Sequence, residues 1–268
     1  MEHIGSQPYQ HSIRLILFLS LIILIQIQSY PLLLIWALVT LFIYNFSNHT
    51  MKQFILITSL FGIGFSLYLF ATHGVDLDHF PKELQVFIER SCLLLLVAVL
   101  SVFSFRCKLP FMHYWQKPQW NNAISFPFIW SGFHHIKTKY FLFIALTSNI
   151  LIFLPFIIDR GWTNIQSIWL LAIIFSLTNA ILEELIWRGY LLSRFSELLG
   201  EKWAIVLTSL GFGLQHYSLG FPWGICLAFS IGGFFYAGIT VKTKSIFPAL
   251  IWHISLNILM VISGLIEF

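Results

Sequence analysis

The sequence predicts an all-α fold: a polytopic membrane helix bundle of eight to nine transmembrane helices, with the N-terminus in the cytoplasm. Of the 268 residues, 58% are hydrophobic and only 10% are charged, whereas a soluble domain has about 45–50% apolar and about 25% charged residues. The hydrophobic residues also form repeated runs of nearly twenty, about the length of a helix that crosses a bilayer. The alternating segments of about ten residues that are typical of membrane β-barrels do not occur.

Nine apolar runs define the expected helices. The second and seventh runs are short, and the second is expected to be tilted or to form a hairpin with the first. The runs are Ile13–Ser29, Leu32–Phe46, Phe54–Ala71, Val86–Phe105, Tyr140–Ile157, Ser167–Trp187, Trp203–His216, Pro222–Ile239 and Ile246–Ile266.

The distribution of basic residues predicts the orientation of the bundle. With nine spans and a cytoplasmic N-terminus, twelve of the fifteen Lys and Arg residues lie on the cytoplasmic side, and only Lys82, Arg90 and Arg160 lie on the other. Cytoplasmic loops of membrane proteins carry an excess of such residues, so the C-terminus is expected outside. The net charge of +4 is spread over loops without a basic stripe, so no nucleic-acid partner is expected.

The longest connection, residues 106–139, is predicted to be cytoplasmic and is rich in Trp, Phe and Tyr. Aromatic rings with polar edges favour the headgroup layer of a membrane. We therefore expect an interfacial segment that contacts the lipid bilayer, with a substrate-access surface as the alternative.

Two adjacent carboxylates, Glu183 and Glu184, lie inside the sixth run. A charged group at the centre of a membrane helix costs at least about 2.5–3.5 kcal/mol, so such groups are expected to have a role. Glu184 and Arg188 are four residues apart and share a helix face on which they can pair. Glu183 points about 100° away and has no basic partner one turn away. We interpret Glu184 and Arg188 as structural and Glu183 as chemical; the alternative is an ion pair that only holds the helix end.

Two histidines lie in later runs. His216 ends the seventh run, one turn after Phe212, which is placed to cover the imidazole. His253 and Asn257 share a helix face in the last run, where two donors are suited to stabilise a developing oxyanion. For each histidine taken alone, packing or hydrogen bonding between helices is the simpler explanation.

Together these groups form a set for hydrolysis. A carboxylate, two imidazoles and an amide are able to activate a water molecule and stabilise a tetrahedral intermediate. Glu183, His216 and His253 also match the two-His, one-carboxylate set that binds catalytic zinc, so zinc is one candidate cofactor, and spacing alone does not decide between the two. A transporter that relays ions through these groups is the third alternative, but the repeats typical of transporters are not found in the sequence.

Three motifs in this order resemble the CAAX protease and bacteriocin-processing family of intramembrane proteases. They are Glu183-Glu184-x-x-x-Arg188, Phe212-x-x-x-His216 and His253-x-x-x-Asn257, and the similarity covers roughly Trp169–Met260. The resemblance implies a helix bundle with a polar cavity open to the cytosol and cleavage of a membrane-tethered protein or peptide. It further implies that Glu183 and His216 activate water, that His253 and Asn257 form the oxyanion site, and that Glu184 and Arg188 organise the helix.

Residues 1–139 are expected to form N-terminal membrane helices and a cytoplasmic interfacial loop, and residues 140–268 a catalytic core of membrane helices. The expected protein is a multi-pass intramembrane peptidase, of metallo- or glutamate type. The short loops favour a bacterial cytoplasmic membrane. The alternative is a non-catalytic relative that acts as a bacteriocin-immunity or membrane scaffold protein.

Overall fold

The computed structural model describes residues 8–108, 110 and 112–268 and is dominated by helices. In chain order the elements are α1 Pro8–Gln26, α2 Tyr30–Phe46, α3 His49–Gly74, α4 Lys82–Ser91, α5 Leu93–Arg106, β1 Ala123–Pro127, β2 Gly132–Lys137, α6 Thr138–Glu184, a π-helix Leu185–Leu191, α7 Leu192–Leu199, α8 Glu201–Leu214, a 3₁₀-helix Gln215–Leu219, α9 Trp223–Thr243 and α10 Phe247–Ile262.

Membrane-length helices confirm the all-α membrane class. In the described part of the chain, four helical stretches are long and apolar enough to cross a bilayer: His49–Gly74, Lys82–Arg106, Thr138–Leu199 and Trp223–Thr243. Shorter apolar helices cover Gln10–Gln26, Tyr30–Phe46 and Phe247–Ile262. The chain is therefore an integral membrane protein, while the count of nine spans and the cytoplasmic N-terminus stay predictions.

Helix α6 consists of two helices joined at Gly161. That residue has φ 76° and ψ 168°, a backbone conformation that glycine adopts without the steric penalty of a Cβ. The break separates the two apolar runs that the sequence places at Tyr140–Ile157 and Ser167–Trp187. Helix α6 therefore contains two predicted spans with almost no loop between them.

Helices α6, α8, α9 and α10 pack closely together around the two carboxylates. Helix α10 lies along α6, and α8 lies along α9. A Cβ on Gly213 would come within 2.3 Å of the backbone oxygen of Cys226, so the absence of a side chain at this glycine allows α8 and α9 to approach closely. One hydrophobic core also joins these helices to α1, α3 and α5.

The connection between α5 and α6 is folded, which the sequence did not predict. Strands β1 and β2 form an antiparallel hairpin, and the preceding segment docks on later parts of the chain. Gln119 N donates to Thr243 O at 2.9 Å, Ile246 N donates to Tyr114 O at 3.0 Å, and Asn122 Nδ2 donates to Lys242 O at 2.7 Å. The expected lipid-facing loop is therefore partly a cap on the bundle, with Ile124 and Ile129 fully buried.

Contacts between loops define two ends of the bundle. At the end that we call the basic end, Lys244 pairs with Glu201 at 2.9 Å, and the amide of His113 donates to Ser193 Oγ at 3.1 Å. At the opposite end, Arg160 pairs with Glu267 at 2.7 Å. The segments that the charge pattern assigns to the cytoplasm thus meet at the basic end.

Candidate active site

Both glutamates of the sixth run are buried at the end of α6. Glu184 has an exposure of 0% and Glu183 of 3%. Arg188, one turn further along, donates from NH1 to Glu184 Oε1 at 2.9 Å and lies with its guanidinium carbon 4.2 Å from the ring centroid of Phe212. The predicted pairing of Glu184 with Arg188 is confirmed.

His253 lies between the two carboxylates. Its Nδ1 is 2.9 Å from Glu184 Oε1, and its Nε2 is 3.6 Å from Glu183 Oε2. An ionised carboxylate only accepts hydrogen bonds, so Nδ1 carries the proton that faces Glu184. His253 is therefore oriented by Glu184, a partner that the sequence had paired with Arg188 alone.

Gln215 links the second carboxylate to α8, and sequence reasoning missed it. Its Nε2 donates to Glu183 Oε1 at 2.9 Å, and its Oε1 accepts from Trp187 Nε1 at 3.0 Å. The available signal was a polar amide beside His216 in an apolar run. Because His216 is the next residue, this contact brings it to the depth of Glu183.

His216 is enclosed by aromatic rings. Its Nδ1 is 2.8 Å from the carbonyl oxygen of Phe212, and a carbonyl only accepts, so Nδ1 carries the proton and Nε2 of the neutral ring is an acceptor. The ring of Phe229 stacks on the imidazole with centroids 4.4 Å apart. The ring of Phe212 lies 5.1 Å from the imidazole of His216 and 5.6 Å from that of His253, measured between centroids, so Phe212 contacts both histidines.

Tyr236 of α9 is a further residue that the sequence did not single out. Its ring is stacked on His253 with centroids 5.1 Å apart, and the guanidinium of Arg188 lies 5.1 Å from its centroid. No spacing pattern links a tyrosine on α9 to these residues, because the contact arises only when α9 packs against α10.

A cavity of about 520 Å³ lies beside these groups. His216, His253 and Asn257 line its buried part, and Asn179 of α6 and Tyr68 of α3 lie on its wall. Glu183 is not among the lining residues, but its Oε2 is 3.6 Å from Nε2 of His253, which is a lining residue. The structure therefore brings all four predicted catalytic residues into one region, with Glu183 set back from the cavity surface.

Six buried polar atoms at this site lack a hydrogen-bond partner among the described residues. Glu183 Oε2 and Asn257 Nδ2 are two of them, and the others are Asn179 Oδ1, Glu184 Oε2, Arg188 Nε and Tyr236 Oη. A buried polar group without a partner is costly, and such groups in native proteins call for an explanation. Glu183 Oε2 can accept a hydrogen bond from a water molecule, and Asn257 Nδ2 can donate one to a water molecule or to a substrate oxygen.

The predicted zinc ligands do not form a metal site in the described part of the chain. No group of three or more His, Cys, Asp or Glu side chains there is arranged to hold a metal ion. Nδ1 of each imidazole faces a protein acceptor, Phe212 O or Glu184 Oε1, which leaves Nε2 as the nitrogen that a metal ion would use. Zinc binding by Glu183, His216 and His253 therefore stays a prediction.

The chain is a helical membrane bundle with a buried Glu–His cluster beside a cavity. These features place it in the class of integral membrane proteins that have a polar site within the membrane. Residues 165–259 match the family model described as Type II CAAX prenyl endopeptidase Rce1-like. This segment contains all three motifs, so the resemblance to CAAX proteases that the sequence suggested is confirmed over these residues. No curated protein and no solved structure matches the chain.

Proposed function

We propose that the protein is an intramembrane endopeptidase that hydrolyses a peptide bond of a membrane-associated protein or peptide. The observation that carries the proposal is the buried contact of His253 with Glu183 and Glu184 next to a cavity lined by His216 and Asn257. The rate enhancement rests on positioned acid–base groups and preorganised donors.

In the proposed reaction, a water molecule in the cavity attacks the carbonyl carbon of the substrate. Glu183 Oε2 accepts no hydrogen bond from the described residues and takes the proton of this water molecule. His216 Nε2 is the second acceptor and orients the water. A C–O bond forms, the C–N bond breaks, and the proton passes from Glu183 to the leaving amine.

The negative oxygen of the tetrahedral intermediate is stabilised by Asn257 Nδ2 and by His253 Nε2. Because Nδ1–H of His253 already faces Glu184, Nε2 donates only when the ring carries both protons. Glu184 therefore has a second role beside its pairing with Arg188, which is to hold the Nδ1 proton of His253.

A neighbouring apolar cavity supports a substrate with a hydrophobic anchor. This space of about 1160 Å³ lies between α1, α2 and α3, and its lining shares Leu69 and His73 with the polar cavity. A lipid chain or an apolar peptide segment held there would bring the adjoining peptide close to the catalytic groups. This arrangement is consistent with a membrane-tethered substrate, and the bacterial cytoplasmic membrane stays the predicted location.

The test is cleavage of a fluorogenic peptide with a farnesylated C-terminal region by the purified protein in proteoliposomes, with a non-lipidated peptide alongside. Glu183→Gln and His216→Ala should each lower kcat by about 10²–10⁴-fold without loss of folded protein. Glu201→Gln, which removes only an exposed carboxylate from the pair with Lys244, is the control and should retain activity. Full cleavage by Glu183→Gln would refute its role as base, and a wild-type protein inert toward both peptides would favour a scaffold or immunity function.

A further inference from the structure

We propose that the catalytic cavity receives its substrate from the non-cytoplasmic side of the membrane. The inference deepens the proposed peptidase function, on which it rests, by naming the class of substrate: a peptide segment exposed on the outer face. A polar cavity open to the cytosol is what the family resemblance implies, and the geometry here differs from it.

The first observation is the position of the cavity mouth. Its exposed lining residues are His73 at the end of α3, Gly220 after α8, and Leu265, Glu267 and Phe268 after α10. Among the residues that the structure describes, none from the α5–α6 connection, from α7 or from the α9–α10 turn lines the cavity. The cavity therefore opens at the end where Arg160 pairs with Glu267, opposite the basic end.

The second observation is the gradient of burial along the cavity. Glu267 and Leu265 are exposed at the mouth, whereas exposure is 7% for His216, 5% for Asn257 and 3% for His253. From Ile262 back to His253 is nine residues of α10, a depth of about 14 Å at the helical rise. A peptide in extended conformation covers this depth with about four residues.

The third observation is that the basic end is filled. Trp187, Tyr190 and Phe195 follow the carboxylates toward that end and have exposures of 0%. Beyond them, the docked connection joins the start of α10 through the hydrogen bond from Ile246 N to Tyr114 O. His253 is only six residues from the start of α10, yet this shorter path is occupied by packed side chains.

The fourth observation is the distribution of basic residues, from which we infer the end that faces outward. Twelve of the fifteen Lys and Arg residues lie on the predicted cytoplasmic segments, and the contacts of Lys244 with Glu201 and of His113 with Ser193 place those segments at the closed end. Basic loops stay in the cytoplasm. The open end, with its polar rim of Glu89, Arg90 and Glu267, therefore faces the other compartment.

Accessibility of single cysteines tests the proposal independently of catalysis. In a full-length variant with all three native cysteines changed to serine, Thr72→Cys reports the cavity wall and Leu265→Cys the mouth. The matched control restores the native Cys107, which is exposed at the basic end. Each variant is checked for monodispersity in detergent and then treated in intact cells with a charged, membrane-impermeant thiol reagent.

The proposal expects Leu265→Cys and Thr72→Cys to react in intact cells and Cys107 to react only after permeabilisation. The reverse pattern, or a Thr72→Cys that reacts only after permeabilisation or not at all, overturns it. Because labelling needs no hydrolysis, an inactive protein with the expected labelling would refute the peptidase function and leave the outward opening intact.

Discussion

Gln215 donates a hydrogen bond from Nε2 to Oε1 of Glu183 at 2.9 Å. This contact joins the proposed base, at the end of α6, to the segment that carries His216. It leaves Oε2 as the oxygen of Glu183 that is available to water. Gln215, which takes no part in the proposed reaction itself, therefore orients the carboxylate.

Gln215→Leu should therefore lower both activity and stability. The leucine removes the partner of Glu183 Oε1 and of Trp187 Nε1, and a buried polar group left without its partner costs about 1–3 kcal/mol. We expect a lower kcat in the peptide assay and a lower Tm in detergent. Gln116→Leu changes an exposed amide that bonds only to His113 O and should have little effect; equal losses in both variants would contradict the proposed role of Gln215.

The two glutamates should differ in their effect on stability. Glu184→Gln leaves the buried guanidinium of Arg188 without its counter-charge, and breaking a buried ion pair in this way costs about 3–5 kcal/mol. Glu183→Gln keeps an oxygen that can accept from Gln215, so its Tm should stay close to that of the wild type while activity is lost. Tm values measured by size-exclusion chromatography after heating decide the matter, and a larger Tm loss for Glu183→Gln would reverse the assignment of roles.

Gly213→Ala should disturb the contact between α8 and α9. The added Cβ would come within 2.1 Å of Ser230 Oγ and 2.3 Å of Cys226 O, and overpacking of this kind costs about 1–3 kcal/mol. Gly224→Ala on α9 meets no atom within 4 Å and should be neutral or slightly stabilising, because alanine favours helix. Thermal unfolding of the two variants side by side is the measurement. Equal Tm values would show that α8 shifts away from α9 without a cost in stability.

Asn257→Ala should reduce kcat with little change in KM. Its Nδ2 has no hydrogen-bond partner among the described residues, so the substitution removes a donor that acts only on the developing oxyanion. Loss of one such donor costs about 10²–10³-fold in kcat. A variant in which KM rises while kcat is unchanged would instead place Asn257 in substrate binding.

The sequence predicted the helical membrane class and the cluster of motif residues for a physical reason. Charged groups in apolar runs are rare because they are costly, so Glu183, Glu184 and His253 stand out without any structure. The pairing of Glu184 with Arg188 followed from helical spacing alone.

Contacts between distant helices were beyond such reasoning. The stacking of Tyr236 on His253 and the bond from Gln215 to Glu183 depend on how α8, α9 and α10 pack. The same holds for the β-hairpin, whose aromatic residues matched an interfacial segment by composition. The chemical roles of the four site residues stay predictions until the variants are measured.

The docked connection between α5 and α6 has a consequence for biosynthesis. Its anchors, Lys242 O for Asn122 and Ser245 Oγ for Gln116, are more than 100 residues further along the chain. A segment cannot find its partners before they leave the ribosome, so this cap closes only after α9 and the turn that follows it have been synthesised. Chains stopped before Lys242 would present an unclosed basic end to the quality-control proteases of the cell, whatever the state of their earlier helices.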